Sequence, residues 1–295
     1  MDLEQKAIER IKMAAEMSLH HYQKPLICTY SGGKDSDVML ELFKRSGITF
    51  EVHNSHTTAD APQTVYHIRK VFRDLELQGI KCGIDYHKQQ DGSRITMWNL
   101  IPRKLMPPTR LVRYCCSELK EGGTKKRMVA TGVRWAESQS RKSRQPYETV
   151  GYTKKDAVRV SDKKMLLLDN DERRLLFERC ELKAEIIVNP IIDWTDRDIW
   201  EFIVQEHLNV NELYQCGYER VGCIGCPMAG KHNREKEFAD FPVYKNAYIK
   251  AFEQMLEIRT RRGLETRWKS AEEVFLWWMG DKNIPGQMKL EDLVN

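Results

Sequence analysis

Residues 26–43 constrain the fold most tightly. Residues 26–30 form a short apolar, β-capable run that ends in Ser31-Gly32-Gly33-Lys34-Asp35-Ser36. Residues 37–43 then continue with Val38, Met39, Leu40 and Leu42, the spacing of a buried helix face. A glycine pair between strand and helix allows a sharp turn and gathers several N–H groups at the positive end of the helix dipole, where an anion settles. Ser31 and Ser36 add hydroxyl donors, Lys34 a cation for phosphate oxygens, and Asp35 a carboxylate suited to magnesium. A bare Gly-Gly would deserve the plainer reading of a turn with a helix cap, but the whole hexapeptide in this setting favours phosphate. Its spacing is not the GxxxxGK[ST] of the Walker loop.

The alternation continues along the chain. Strands are predicted at 49–53, 81–86 and Glu185–Val188, a further apolar run at 128–133, and a helix at Pro62–Leu77. Strands separated by helices imply βαβ units, so the predicted fold is α/β, a Rossmann-like, mostly parallel sheet with helices on both faces, plus a helical C-terminal region. An N-terminal helix over 4–19 carries Ile8, Ile11 and Met17. Thr195 is read as the N-cap of a helix bearing Ile199, Trp200, Phe202 and Ile203, with Asp196 and Asp198 in its first turn. The tail from Glu235 reads as helical, with Trp277-Trp278 buried. Residues 141–164, polar and basic, read as an exposed insertion. The predicted division is linear: helix 1–24, nucleotide-binding domain 25–228, helical region 229–295.

The chain is 41% hydrophobic and 31% charged, with no membrane span and no apolar run of the kind a secretory signal needs, which points to the cytoplasm. Its formal charge of +5 is modest, and each basic run taken singly reads as solvated surface. Eight cysteines in a reducing compartment suggest metal or redox chemistry where they cluster. Cys115-Cys116 and Cys223-x-x-Cys226 offer four thiolates, suited to zinc or to an iron–sulfur cluster. Neighbouring side chains diverge, which favours the separate iron corners of a [4Fe–4S] cluster over one zinc ion. Cys216 reads as a substitute ligand, a nucleophile, or incidental; Cys28, Cys82 and Cys180 read as packing residues. Arg134 and Arg141 offer guanidinium forks for phosphate or sulfate, the alternative for Arg134 being an i, i+3 pair with Glu137. His56 and Asp60 follow the second strand, at the sheet edge where ligands of such folds collect.

With the loop 31–36 stand the run Gly132-Val133-Arg134-Trp135-Ala136-Glu137-Ser138 followed by Arg141, and Asn189-Pro190-Ile191-Ile192-Asp193-Trp194-Thr195-Asp196 with Asp198 and Trp200. Leu213-Tyr214 then leads through Gly217 to Gly222-Cys223-Ile224-Gly225-Cys226-Pro227. On these residues the chain resembles the PP-loop ATP pyrophosphatase superfamily and, within it, the phosphoadenosine-phosphosulfate (PAPS) reductase-like branch, over residues 25–228. The resemblance implies an adenine-nucleotide α-hydrolase fold with adenine bedded near the first two strands, Gly132 and Arg134 beside the nucleotide, and a Cys-Cys plus CxxC cluster close by.

Two enzyme readings follow from it. Sulfonucleotide reductases attack the sulfate sulfur with a cysteine on a mobile tail, whereas residues 280–295 contain none. PP-loop enzymes that keep SGGKDS cleave ATP to AMP and pyrophosphate, adenylating an acceptor for displacement by sulfur or nitrogen. The resemblance thus favours an ATP pyrophosphatase of the sulfur-transfer type, with ATP as substrate, Mg2+, and Lys34, Asp35, Arg134 and Arg141 as catalytic residues. Nucleic acid as acceptor, a sulfur-donor or thioredoxin-like protein as partner, and a homodimer are compatible with this reading. The alternatives are a reductase releasing sulfite with Cys216 or a partner's thiol, and a non-catalytic nucleotide-binding iron–sulfur accessory subunit.

Overall fold

The computed structural model describes residues 2–120, 127–150, 159–160 and 185–280. They fall into two compact units, one drawn from Met1–Ser55, Pro62–Asp85 and Gly123–Val221, the other from His56–Ala61, Tyr86–Gly122 and Gly222–Asn295. Each unit thus gathers several separate stretches, where the sequence predicts a linear division. The described helices are α1 (Leu3–Tyr22), α2 (Lys34–Ser46), α3 (Pro62–Leu77), α4 (Met97–Lys104), α5 (Tyr114–Leu119), α6 (Asp196–Gln205), α7 (Lys231–Asp240), α8 (Pro242–Arg261) and α9 (Ala271–Met279). None of them is long and apolar enough to cross a membrane.

The first unit holds a seven-stranded sheet of β1 (Leu26–Thr29), β2 (Phe50–Ser55), β3 (Lys81–Asp85), β4 (Val129–Ala130), β5 (Tyr147–Val150), β6 (Arg159–Val160) and β7 (Glu185–Val188), in the order β3-β2-β1-β4-β7-β5-β6. The first five in that order are parallel, and β5 and β6 add an antiparallel margin. This is the α/β class the alternation predicts. Leu26, Ile27 and Cys28 are fully buried, as the near-continuous apolar run of a central parallel strand requires. Val38, Met39, Leu42 and Phe43 of α2 join the same core as Ile11 and Ala14 of α1 and Ile199 and Ile203 of α6. Thr195 caps α6 as predicted: its side chain accepts from Asp198 N–H at 3.2 Å, and its own N–H donates to the Asp198 carboxylate at 2.7 Å.

The exposed insertion predicted over 141–164 is corrected at its centre. β5 lies between β7 and β6, and Tyr147, Glu148 and Thr149 are buried. The polar Glu148 is accommodated because Arg144 and the Gln145 N–H donate to its carboxylate. Residues 151–158 and 161–184, which carry the later basic runs and Cys180, lie outside the described residues.

Arg10 of α1 is 2% exposed and holds the turn after β7, donating to Asp193 at 2.7 and 3.0 Å and to Pro190 O at 2.6 Å. Burial pushes the Asp193 carboxyl up, but Arg10 and Lys6 outweigh it and hold it below its ordinary value. Arg10→Ala is therefore expected to lower stability by about 2 kcal/mol, the loss of charge-assisted hydrogen bonds to a carboxylate that keeps Lys6 at 2.6 Å, as read by denaturant unfolding. A depressed carboxyl stabilises above the unfolded carboxylate pKa of about 3.9, and the contribution is lost as pH falls through the lower folded value. The wild-type advantage should accordingly be full at neutral pH and shrink in acid.

The second unit is organised around Trp278 of α9, whose ring lies 4.7 Å from Tyr248, 5.4 Å from Phe252, 6.0 Å from Phe275 and 6.1 Å from Phe238. Its indole N–H donates to Pro108 O at 2.6 Å, and the Arg234 guanidinium lies 4.1 Å above the ring. Trp277, predicted to be buried, is only half-buried, against Trp268 at 5.1 Å.

Candidate functional site

The Tyr30 N–H donates to His53 O at 2.8 Å and the Thr29 hydroxyl to Ala130 O at 2.7 Å, so the chain leaves β1 held between β2 and β4. Gly32 follows at φ +72°, where a Cβ would stand 2.9 Å from Ile68 Cγ1, so both conformation and space require glycine. Gly33 is the N-cap of α2. Ser36 Oγ accepts the Gly33 N–H at 3.1 Å and donates to Gly33 O at 2.7 Å, which commits this hydroxyl inside the loop. The Ser36 N–H also returns to Gly33 O, and the Lys34 N–H donates to the Tyr214 hydroxyl at 2.9 Å. The N–H groups of Ser31, Gly32 and Asp35 have no acceptor among the described residues. Three uncommitted amides at the start of α2, beside the Ser31 hydroxyl and the Lys34 ammonium, form a cradle for an anion.

Four charged side chains close a ring beside this cradle. Lys34 Nζ lies 3.8 Å from Asp35 and 3.5 Å from Asp196, while Arg134 meets the same two carboxylates at 2.7 and 2.8 Å. Arg134, 1% exposed, also donates to Trp194 O at 3.3 Å. Burial raises the Asp196 carboxyl, but the hydrogen bond and charge of Arg134, with Lys34, outweigh this and leave it below its ordinary value. Gly132 packs with open backbone against Asp35, where a Cβ would sit at 3.5 Å. Ser31–Ser36, Gly132 and Arg134 are therefore brought together. Arg141 stands one step away: it pairs with Glu137, whose carboxylate also accepts the Arg134 N–H at 2.9 Å.

His56 and Asp60 belong to the second unit. His56 Nδ1 accepts from Thr58 N–H at 3.1 Å and meets Arg94 at 3.1 Å; Asp60 accepts from Thr57 N–H at 3.0 Å and from its hydroxyl at 2.8 Å.

Three groups around the loop escape sequence reasoning. Asn211, fully buried, donates to Gly32 O at 3.2 Å and to Thr64 Oγ1 at 3.1 Å, fixing the turn from below. Tyr214 supplies the acceptor for Lys34 N–H; the only sequence signal for it was its place in the Leu213-Tyr214 match. Behind the first turn of α2, Tyr30 donates to Asp37, and His67 Nε2 lies 2.9 Å from the Tyr30 hydroxyl and 3.1 Å from Asp37. Burial pushes the Asp37 carboxyl up against the pull of His67.

In the second unit Cys115 and Cys116 lie on α5, and Cys223 and Cys226 on a turn closed by Cys226 N–H to Cys223 O at 3.2 Å. Gly225 between them has φ +72°, and its N–H donates to Glu237 at 2.6 Å. The hydrogen bond with Cys116 pushes the Cys115 thiol up, followed by burial and the charges of Cys116, Cys223 and Cys226. The same bond lowers the Cys116 thiol against burial, helped by Arg113, 3.2 Å from its sulfur, and by Lys120. Burial raises Cys223 to about 11 despite Lys120, and its thiol donates to Thr57 Oγ1 at 3.3 Å. Two cysteine pairs distant in sequence thus feel each other's charge, with two cations to offset thiolates. This donor chemistry fits a thiolate-held centre, although among the described residues no three metal-ligating side chains converge to ligating distance. Cys216 is exposed in the first unit; Cys28 is buried in β1, and Cys82 lies 3.8 Å from Phe72 O.

Comparisons with known proteins add kinship. An uncharacterized protein of Methanocaldococcus jannaschii is 26% identical over 97% of this chain, and a second from that organism is 24% identical over 75%. The chain spans only 59% and 40% of the length of these relatives. The adenosine 5'-phosphosulfate reductase of Anoxybacillus flavithermus is 23% identical over 76% of this chain and 85% of its own length. Among solved structures, phosphoadenylyl-sulfate reductase from Candida auris aligns over 74% of this chain and 88% of that one, with a TM-score of 0.43 and 16% identity. The family model of the phosphoadenosine phosphosulfate reductase domain matches residues 25–229, well over half of the sequence, and the chain belongs to that family.

Proposed function

We propose that this chain binds ATP with its polyphosphate on the loop 31–36, cleaves it to AMP and pyrophosphate, and so adenylates an acceptor for sulfur transfer. The observation that carries this reading is the cradle of uncommitted Ser31, Gly32 and Asp35 amides beside the buried Lys34 ammonium at the N-terminus of α2. An acceptor oxygen attacks the α-phosphorus, the bond to the bridging oxygen breaks, and pyrophosphate leaves with that electron pair. The amides, Lys34 and Arg134 face the charge that develops on the leaving group, with Arg141 as a further phosphate contact. Asp35 would hold Mg2+, which supplies neutralisation of the polyphosphate. A sulfur nucleophile then displaces AMP from the acceptor. Nucleic acid is assigned as the acceptor, in keeping with the basic runs of the sequence. Acceptor-dependent release of pyrophosphate from ATP tests the proposal; sulfite release from a sulfonucleotide in its place would favour the reductase reading, for which the exposed Cys216 is the available thiol.

Cys115, Cys116, Cys223 and Cys226 would hold a [4Fe–4S] cluster, which supplies an iron-bound thiolate centre for structure or sulfur chemistry. Anaerobic purification should yield iron, labile sulfide and visible charge-transfer absorbance, all strongly reduced in Cys226→Ser. Stoichiometric zinc without iron would assign the cysteines to zinc instead.

A further inference from the structure

We propose that Asp196 is a specificity-determining residue of the phosphate site: its carboxylate occupies the place of a ligand oxygen on Lys34 and Arg134, and a ligand enters by displacing it. The inference rests on the phosphate reading of loop 31–36. Asp196 Oδ1 lies 2.8 Å from Arg134 and 3.5 Å from Lys34. Its side chain is 64% exposed, whereas those of Lys34 and Arg134 are 8% and 1% exposed, so the anion of this cluster faces water and the cations do not.

Of the other guanidinium nitrogens of Arg134, Nε stands 2.7 Å from Asp35 Oδ1 as an ion pair without hydrogen-bond geometry, and Nη1 donates to the buried Trp194 O at 3.3 Å. The terminal nitrogen on Asp196 is thus the part of the guanidinium that can change partner. Asp196 is the first residue of α6, and the capping box of that helix is made by Thr195 and Asp198 without it. The carboxylate can therefore rotate to solvent with no backbone hydrogen bond broken.

With two carboxylates on two cations the ring is neutral. A singly charged anion gains little by replacing Asp196, whereas a polyphosphate brings several charged oxygens to the same cations and to the amides beside them. Asp196 thereby selects for multiply charged phosphate chains while keeping Lys34 and Arg134 ordered before the ligand arrives.

Titration of inorganic pyrophosphate into the full chain, in buffer with divalent ions chelated, tests this. Asp196→Asn and Asp196→Ser are each expected to tighten binding about tenfold, the scale of one charge-assisted contact no longer competed for, and Asp196→Glu to stay near wild type. Unchanged or weaker binding in both neutral variants, with Lys34→Ala still disrupting it, would overturn the role of Asp196 and leave the phosphate reading standing. If Lys34→Ala binds pyrophosphate as wild type does, the phosphate reading itself fails and the inference with it.

Discussion

Lys34→Ala is expected to weaken ATP binding about a hundredfold while leaving the fold intact. The ammonium is buried beside the cradle amides, where a charge-assisted bond to phosphate is worth about 2–3 kcal/mol because little water competes. The substitution also leaves Asp35 beside the polyphosphate with Arg134 alone to offset it, which adds repulsion to the lost attraction. The structural cost is small, since Lys34 opens α2, where alanine is a good helix former, and its ion pairs are long at 3.8 and 3.5 Å. Titration calorimetry with ATP should show the loss, with the unfolding midpoint nearly unmoved.

The second large effect is expected from Gly225→Ala. A Cβ there would stand 2.5 Å from Phe238 Cζ and 3.1 Å from Tyr248 Cε2, and the backbone is at φ +72°. The Phe238 ring cannot withdraw cheaply, because Phe275, Tyr248 and Trp278 enclose it at 5.2, 5.8 and 6.1 Å. Left-handed strain of about 1–2 kcal/mol adds to an overpacking cost of similar size, so the second unit should lose about 3 kcal/mol. The Gly225 N–H bond to Glu237 seats the Cys223–Cys226 turn on α7, so cysteine geometry should suffer with stability. Denaturant unfolding and anaerobic iron content, measured on the same preparation, should both fall.

The sequence was most legible where local chemistry decides structure. The strand, glycine turn and helix of residues 26–43 appear as read, the ends of α3 and β7 match their predicted spans, and Thr195 makes the predicted cap. β5 was illegible because its burial is achieved through a charged pairing, Glu148 with Arg144, rather than through apolar alternation. Around the loop, Asp196, Asn211 and Tyr214 were not singled out as site residues, since chain folding brings them from some 160–180 residues away and no local period marks them. The two cysteine pairs were visible as pairs, and Arg113 and Lys120 stand within four residues of Cys115-Cys116, but only the fold brings the charge of Lys120 to Cys223 as well.

The account depends on the first turn of α2 receiving a polyphosphate. A crystal structure of the chain with a non-hydrolysable ATP analogue and magnesium should place phosphate oxygens within hydrogen-bonding distance of the Ser31, Gly32 and Asp35 amides and of Lys34 Nζ. An analogue bound elsewhere, with those amides turned to solvent and Lys34 still on Asp196, would contradict it.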